Sequence, residues 1–230
     1  QRFAPTSAPA TQMPSGTERG WLALLQMAIA IHLFLVARPD VGYDANAMHL
    51  HIALLMDAHH QFPFDVTRYA WAVMPLGADW AYVAAYLLGG ETAARFANLC
   101  FGALACHLVY ELVRRHARPE LGIASVALLA STPLAFLETG SLYIENLWAA
   151  YLLAALFVTL EMRSPSESRP LYWVALALLA AGAMQCKVIG VLWLGPLAVY
   201  ALLTGRPREA LRASDARVFA VLALAVLLAA

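Results

Sequence analysis

Residues 143–162 read YIENLWAAYLLAALFVTLEM, an apolar run long enough to cross about 30 Å of hydrocarbon as one helix. Similar runs recur along the whole chain. We place the spans near residues 21–37, 91–113, 120–137, 143–162, 170–186 and 188–204, with an unfinished one from residue 217. The sequence therefore predicts an all-α protein, a polytopic transmembrane helical bundle with about seven spans.

The composition of the chain agrees with a membrane protein. Hydrophobic residues make up 62% of the sequence, charged residues make up 13%, and the mean hydropathy is +0.65. These values lie outside the usual range of soluble globular domains, so we expect membrane lipids as partners. Because the formal net charge is zero and no basic stretch alternates with aromatic residues, we expect no nucleic-acid partner.

The sequence divides into a tail and one membrane domain. Residues 1–20 are rich in Pro, Ser, Thr and Ala, which predicts a flexible cytoplasmic tail. Residues 21–230 predict one transmembrane domain, and its last apolar run predicts an N-terminal fragment of a longer protein. Within this domain, segment 38–90 contains five aspartates and four histidines, so it is too polar for a span and predicts an outer loop.

The outer loop contains two segments with helical patterns. Residues 44–60 place Met48, Ile52, Leu55 and Met56 on one helical face, which predicts a helix lying in the membrane interface. Residues 76–89, closed by Gly89-Gly90, fit either a short span or a second interfacial helix. We favour the interfacial assignment because of the charge distribution.

The arginines predict the orientation of the chain. If residues 76–89 do not cross, the tail, the 114–118 cluster and the 163–169 and 205–217 loops share one side. That side holds eleven of the 15 basic residues and is therefore expected to be cytoplasmic. This predicts an integral membrane protein with a cytoplasmic N-terminus, whose outer segment 38–90 is periplasmic in a bacterium or lumenal in a eukaryote. A crossing at 76–89 would reverse every later loop.

Two carboxylates are candidates for catalysis at the outer face. Asp44 follows Tyr43 at the start of the interfacial helix, where it would act either as an N-cap or as a general base or metal ligand. Glu145 opens the 143–162 span, where its charge would favour the helix N-terminus or serve a reaction.

Cations and histidines complete the candidate list. Lys187 is the only lysine in the sequence; it either extends its ammonium group to the interface or neutralises a phosphate, with help from Arg68 or Arg95. The histidines at 49, 51, 59 and 60 have poor metal-ligand spacing, and a wetted interfacial helix is the simpler interpretation. Tyr43 and His49 stay candidates for the outer site.

Six short motifs occur in a familiar order over about residues 21–204. They are Tyr43-Asp44-Ala45 followed by His49-Leu50; Pro75-Leu76-Gly77 leading to Leu87-Leu88-Gly89-Gly90; Ala94-Arg95-Phe96-Ala97-Asn98; Ser131-Thr132-Pro133; Tyr143-Ile144-Glu145; and Gly182 followed by Cys186-Lys187 and Val188-Ile189-Gly190. In this order they resemble the GT-C class of membrane glycosyltransferases, in particular the family-39-like bacterial branch related to protein O-mannosyltransferases and lipid A aminoarabinose transferases.

The resemblance implies a reaction and roles for the candidate residues. It implies sugar transfer from a polyprenyl-phosphate donor to a lipid, glycan or protein acceptor at the outer face, with inversion at the anomeric carbon. Asp44 would be the base and Glu145 would orient the acceptor or a divalent metal, while Lys187, Arg95 or Arg68 would bind the donor phosphate. Two positions depart from the family pattern, since Ala45 replaces a glutamate and Glu145 replaces an aspartate.

Two other classes of function stay open on the sequence. A transporter or flippase for a lipid-linked or small polar substrate would need polar residues along a central path, whereas spans 120–137 and 170–186 are nearly free of them. A membrane scaffold would leave the carboxylates scattered. A shared cavity for Asp44 and Glu145 would favour the enzyme.

Overall fold

The computed structural model describes residues 16–61, 65, 67, 74–162 and 169–204. Every regular element in this part of the chain is helical, which confirms the all-α class. The helices are α1 (Gly16–Val36), α2 (Leu50–His59), α3 (Gly77–His116), α4 (Gly122–Ala130), α5 (Pro133–Gly140), α6 (Glu145–Glu161), α7 (Arg169–Cys186) and α8 (Val191–Thr204). A π-helical turn covers Ala45–His49, and 3₁₀ turns cover Pro119–Leu121 and Val188–Gly190.

In the described part of the chain, fewer helices than the predicted seven are long and apolar enough to cross a membrane. Among the described residues, α1 and α3 are long and apolar enough to cross, and α4 with α5 makes a third candidate if the bent pair is one span. Helices α7 and α8 are apolar but shorter. The protein is an integral membrane protein, and seven spans stay a prediction.

The third predicted span, 120–137, is broken in its middle. Proline disfavours helical backbone at the residue before it. Thr132 accordingly has extended backbone, and its hydroxyl accepts a hydrogen bond from the Ala135 amide at 3.1 Å, which caps α5. Helices α4 and α5 therefore meet at 62° instead of forming one rod.

Helix α3 is also broken, at Gly89 and Gly90. Gly90 has a φ of 69°, a left-handed conformation that glycine adopts without the steric cost of a Cβ atom. Residues 77–88 and 91–116 consequently form two helical pieces. The first piece packs against α2, so the apolar face predicted for 44–60 rests in part on protein, with Ile52 and Val83 buried in one cluster.

Helices α3 and α6 form the centre of the packing, with α1 and α4 on one side and α7 and α8 on the other. Small residues permit the close contacts typical of membrane helices. A Cβ atom added at Gly182 of α7 would lie 2.5 Å from the Tyr151 ring of α6. The predicted helix near 21–37 begins earlier, at Gly16, where Glu18 in the first turn suits the helix N-terminus.

Several predictions fall on residues outside the described ranges. They concern the tail before Gly16, most of the 163–169 loop, the 205–217 loop, the span expected from residue 217, and Arg68.

Candidate active site

A cavity of about 620 Å³ opens where α2, the start of α3, the start of α6 and the turn after α7 converge. The polar part of its wall holds Asp44, His49, Asp79, Tyr143, Glu145 and Lys187. Apolar side chains complete the wall, among them Met48, Ile52, Leu76, Val188 and Ile189. Three residues that the sequence singled out from distant segments thus share one chamber, namely Asp44, Glu145 and Lys187.

Close backbone contact brings these segments together. Gly77 in the first turn of α3 touches the end of α7, since a Cβ atom placed on it would lie 2.8 Å from Gln185 Cβ and 2.9 Å from the Gln185 carbonyl oxygen. Any larger residue would push the two ends apart. The first turn of α3, with Asp79, therefore lies beside Lys187.

Asp44 does not act as the helix cap that its position allowed. It precedes the π-helical turn with helical backbone angles, and its side chain makes no capping hydrogen bond. The carboxylate lines the cavity instead. A capping aspartate would use its oxygens on backbone amides. The chemistry available to Asp44 is therefore that of a carboxylate in a cavity wall.

Glu145 and Lys187 form an ion pair in the cavity. Lys187 Nζ donates to Glu145 Oε1, and the ammonium also lies 5.8 Å from the centre of the Trp148 ring. Glu138 of α5 faces Glu145, and each of these two carboxyls keeps one buried oxygen without a hydrogen-bond partner. A single lysine among these carboxylates gives the cavity a cation that a phosphate could share.

His49 is buried, in contrast to the wetted helix that the histidine pattern suggested. Its Nδ1 lies 2.6 Å from Asp79 Oδ1, and the two side chains are 8% and 3% exposed. His59 and His60, at the other end of α2, are exposed as expected. The reason for the difference is the carboxylate partner on α3, which the spacing of the histidines does not reveal.

Asp40 holds the two loops that carry the carboxylates. Its Oδ1 accepts hydrogen bonds from Ser141 Oγ at 2.6 Å and from the Gly42 amide at 2.8 Å. Its Oδ2 accepts one from the Leu142 amide at 2.9 Å. The segment before Asp44 is thereby fixed to the segment before Glu145.

Arg95 lies inside the fold and not in the cavity wall. It is 2% exposed, and its Nη2 donates to the carbonyl oxygen of Leu35 at 2.8 Å and to that of Gly140. These carbonyls belong to the ends of α1 and α5, whose last carbonyls lack partners within the helix. The geometry thus gives Arg95 a structural position and leaves Lys187 as the cation of the described cavity wall.

The remaining candidates differ in their positions. Tyr43 is 81% exposed and is not part of the cavity wall, and Arg68 lies outside the described residues. Tyr143, in the loop before α6, does line the cavity. A phenol is protonated at neutral pH, so the Tyr143 hydroxyl can donate a hydrogen bond.

The described residues do not contain a cluster of metal ligands. No group of three or more His, Cys, Asp or Glu side chains in this part of the chain has the arrangement of metal ligands. A magnesium ion that keeps several waters needs only one or two carboxylates together with a substrate phosphate. The possible divalent metal therefore stays a prediction for this cavity.

The family model described as dolichyl-phosphate-mannose-protein mannosyltransferase matches residues 73–230. The chain belongs to this family. It is a GT-C class membrane glycosyltransferase of the mannosyltransferase type. Comparisons with curated proteins and with solved structures give no match. Membership in the family favours the enzyme over the transporter and scaffold alternatives.

The range matched by the family model covers part of the cavity wall. Asp79, Glu145 and Lys187 lie inside the matched range, whereas Asp44 and His49 precede it. All of these residues except Asp79 are candidates on the sequence alone. The sequence does contain a signal for Asp79, which is an acidic residue in an apolar stretch, three positions after Leu76 at the start of a helix. Asp40, an acidic residue just after an apolar span, gives a similar signal.

Proposed function

We propose that this glycosyltransferase moves a sugar from a polyprenyl-phosphate carrier to an acceptor hydroxyl inside the 620 Å³ cavity. The observation that carries the proposal is the shared wall, which combines a lysine for the phosphate with carboxylates for the acceptor. The family name supports mannose as the first sugar to test.

The donor phosphate would bind at Lys187. Its ammonium is held at the cavity wall by Glu145 and the Trp148 ring, in reach of an anion that enters the chamber. As the bond between the sugar and the phosphate breaks, negative charge grows on the leaving phosphate, and a fixed cation stabilises that charge. Lys187 is therefore the proposed electrostatic catalyst, and Arg95 is proposed to hold the helix ends.

The carrier chain would leave the cavity along the apolar surface that follows Lys187. Val188 and Ile189 line the cavity and are 59% and 55% exposed, and Leu192 and Trp193 continue the surface at 67% and 62%. An isoprenoid needs a wall of this kind next to its phosphate group. The surface thus supports a lipid-linked donor over a soluble nucleotide sugar.

The acceptor would bind between Asp44 and Glu145. Asp44 is the first candidate for the base, because its carboxylate lines the cavity without a capping role. Direct displacement by the acceptor oxygen would invert the anomeric carbon. The arginine distribution supports a cytoplasmic N-terminus and chemistry at the outer face. Because the motifs resemble the bacterial branch of the class, we place the active site at the periplasmic face of a bacterial inner membrane.

Substitution of Asp44 tests the proposed reaction. The full-length Asp44→Asn protein should lose at least ~100-fold in sugar transfer from polyprenyl-phosphate mannose, since the acceptor hydroxyl loses a carboxylate that orients it or takes its proton. The measurement is release of polyprenyl phosphate from the donor with a membrane extract as the source of acceptor. Asp57→Asn is the matched control, because Asp57 is exposed on the neighbouring α2 and outside the cavity wall.

An Asp44→Asn protein with full transfer activity would remove Asp44 from the mechanism. A wild-type protein that transfers sugar from no polyprenyl-phosphate donor, although it is folded and inserted, would contradict the proposed function itself.

A further inference from the structure

The buried pair of His49 and Asp79 has no role in the reaction as described so far. Both residues line the cavity, and the 2.6 Å contact joins the π-helical turn to the first turn of α3. A buried carboxylate beside an imidazole orients the ring and stabilises a positive charge on it. The pair therefore combines a proton acceptor with the group that supports its protonated form.

The partner of the imidazole fixes which nitrogen is basic. A carboxylate only accepts hydrogen bonds, so the proton of the neutral ring is placed on Nδ1, which faces Asp79. The other ring nitrogen, Nε2, then carries the free lone pair. Since His49 is part of the cavity wall, Nε2 is the nitrogen available to a substrate there.

The π-helical turn explains why His49 and Asp44 reach the same chamber. In an α-helix two residues five positions apart point about 140° away from each other. The wider turn of a π-helix, with its hydrogen bonds between residues five apart, brings such positions closer to one face. Both residues line the cavity, as this geometry predicts. Short π-helical turns are frequent at functional sites.

We infer that His49, in place of Asp44, takes the proton of the acceptor hydroxyl, with Asp79 as its positioning residue. The inference rests on the proposed function and names the proton acceptor of that reaction. The acceptor oxygen forms the bond to the anomeric carbon, and the carbon–oxygen bond to the phosphate breaks with its electron pair on the phosphate. The hydroxyl proton moves to Nε2, and the resulting imidazolium is balanced by Asp79. Asp44 then orients the hydroxyl for attack.

The chemistry of the two bases favours the histidine. An ordinary imidazole is a stronger base than an ordinary carboxylate and titrates closer to neutral pH, which is where a general base is most effective. Other titratable and charged groups around the same chamber are Asp44 before the π-helical turn, Asp79 on α3, Glu138 of α5 facing Glu145, Tyr143 just before α6, Glu145 at its start, Cys186 at the end of α7 and Lys187 after it. The pH profile must therefore be read in variants and not in the wild type alone.

The test compares His49→Gln with His59→Gln in the full-length protein. His59 is exposed at the end of α2, so the control makes the same change outside the cavity. We expect His49→Gln to lower kcat/KM by at least ~100-fold and to abolish the loss of activity toward acid pH. The residual activity of Asp44→Asn should still fall toward acid pH. A His49→Gln enzyme whose activity falls toward acid pH as in the wild type would overturn the inference. The proposed function would stand in that case, because it rests on sugar transfer by the wild-type protein.

A second variant separates catalysis from packing. Asp79→Asn can still hydrogen-bond the ring but cannot balance an imidazolium, so kcat should fall at least ~10-fold while the KM for polyprenyl-phosphate mannose stays unchanged. This variant also decides the question if His49→Gln does not fold. Full kcat in a folded Asp79→Asn protein would show that the pair only joins α3 to the π-helical turn.

Discussion

The two ends of α6 each carry a glutamate paired with a cation, and the two pairs have different surroundings. At the first end, Glu145 binds Lys187 in the cavity wall, with Glu138 facing it. At the other end, Glu161 Oε1 lies 3.4 Å from Arg115 Nη1, and the arginine side chain is 45% exposed. Arg115 also binds Glu111, so this end forms a solvated network. The same pair of charges therefore closes a site at one end and covers a surface at the other.

Removal of the cation at each end should give the largest contrast. Lys187→Gln should reduce sugar transfer by at least ~100-fold, because the leaving phosphate loses its cation. Arg115→Gln is the matched control and should keep near wild-type transfer, since exposed pairs contribute little. Transfer from polyprenyl-phosphate mannose measures both.

The outcome of this pair of variants is informative in either direction. Equal activity of the two variants would contradict a phosphate site at Lys187. A loss confined to Lys187→Gln that Lys187→Arg restores in part would show that positive charge at this position is what the reaction needs.

A smaller effect is expected from loss of the Asp40 contacts that hold the loop before α6 next to the cavity. In Asp40→Asn one carboxylate oxygen becomes an NH2 group. This group cannot accept the hydrogen bonds that Ser141, Leu142 and Gly42 donate to the carboxylate, so at least one of these donors loses its partner. The free energy of unfolding should fall by about 1–3 kcal/mol, and transfer should fall roughly ten-fold as the Asp44 and Glu145 segments separate. Unfolding in mixed micelles and the transfer assay measure the two effects.

Asp57→Asn again serves as the control for a lost carboxylate at an exposed site. Unchanged stability in Asp40→Asn would contradict the assigned role of the loop contact. Gly42→Ala offers an independent route to the same loop, because its Cβ atom would clash with Ser141 Oγ.

The cavity end of α6, at Glu145, and its arginine end, at Glu161, also differ in how well the sequence predicts their contacts. Apolar runs predict most helices, and the arginine distribution predicts Asp44, Glu145 and Lys187 on one outer face; in the structure all three line one cavity. The contact between His49 and Asp79 escapes prediction because it joins two segments across the fold and depends on a π-helical turn. The buried position of Arg95 escapes prediction because a sequence does not show that the carbonyls at two helix ends accept hydrogen bonds from its guanidinium.

The smallest effect should come from Glu161 at the arginine end. Glu161→Gln removes the contacts to Arg115 at 3.4 Å and to His116 at 3.7 Å, but Arg115 keeps Glu111 as a partner. The free energy of unfolding should change by less than about 1 kcal/mol, the change should shrink at high salt, and transfer should stay at the wild-type level. Unfolding at low and high salt with a parallel transfer assay measures this. A ten-fold loss of transfer would instead mean that α6 couples its two ends, because Glu161 lies a full helix length from the chamber that Glu145 lines.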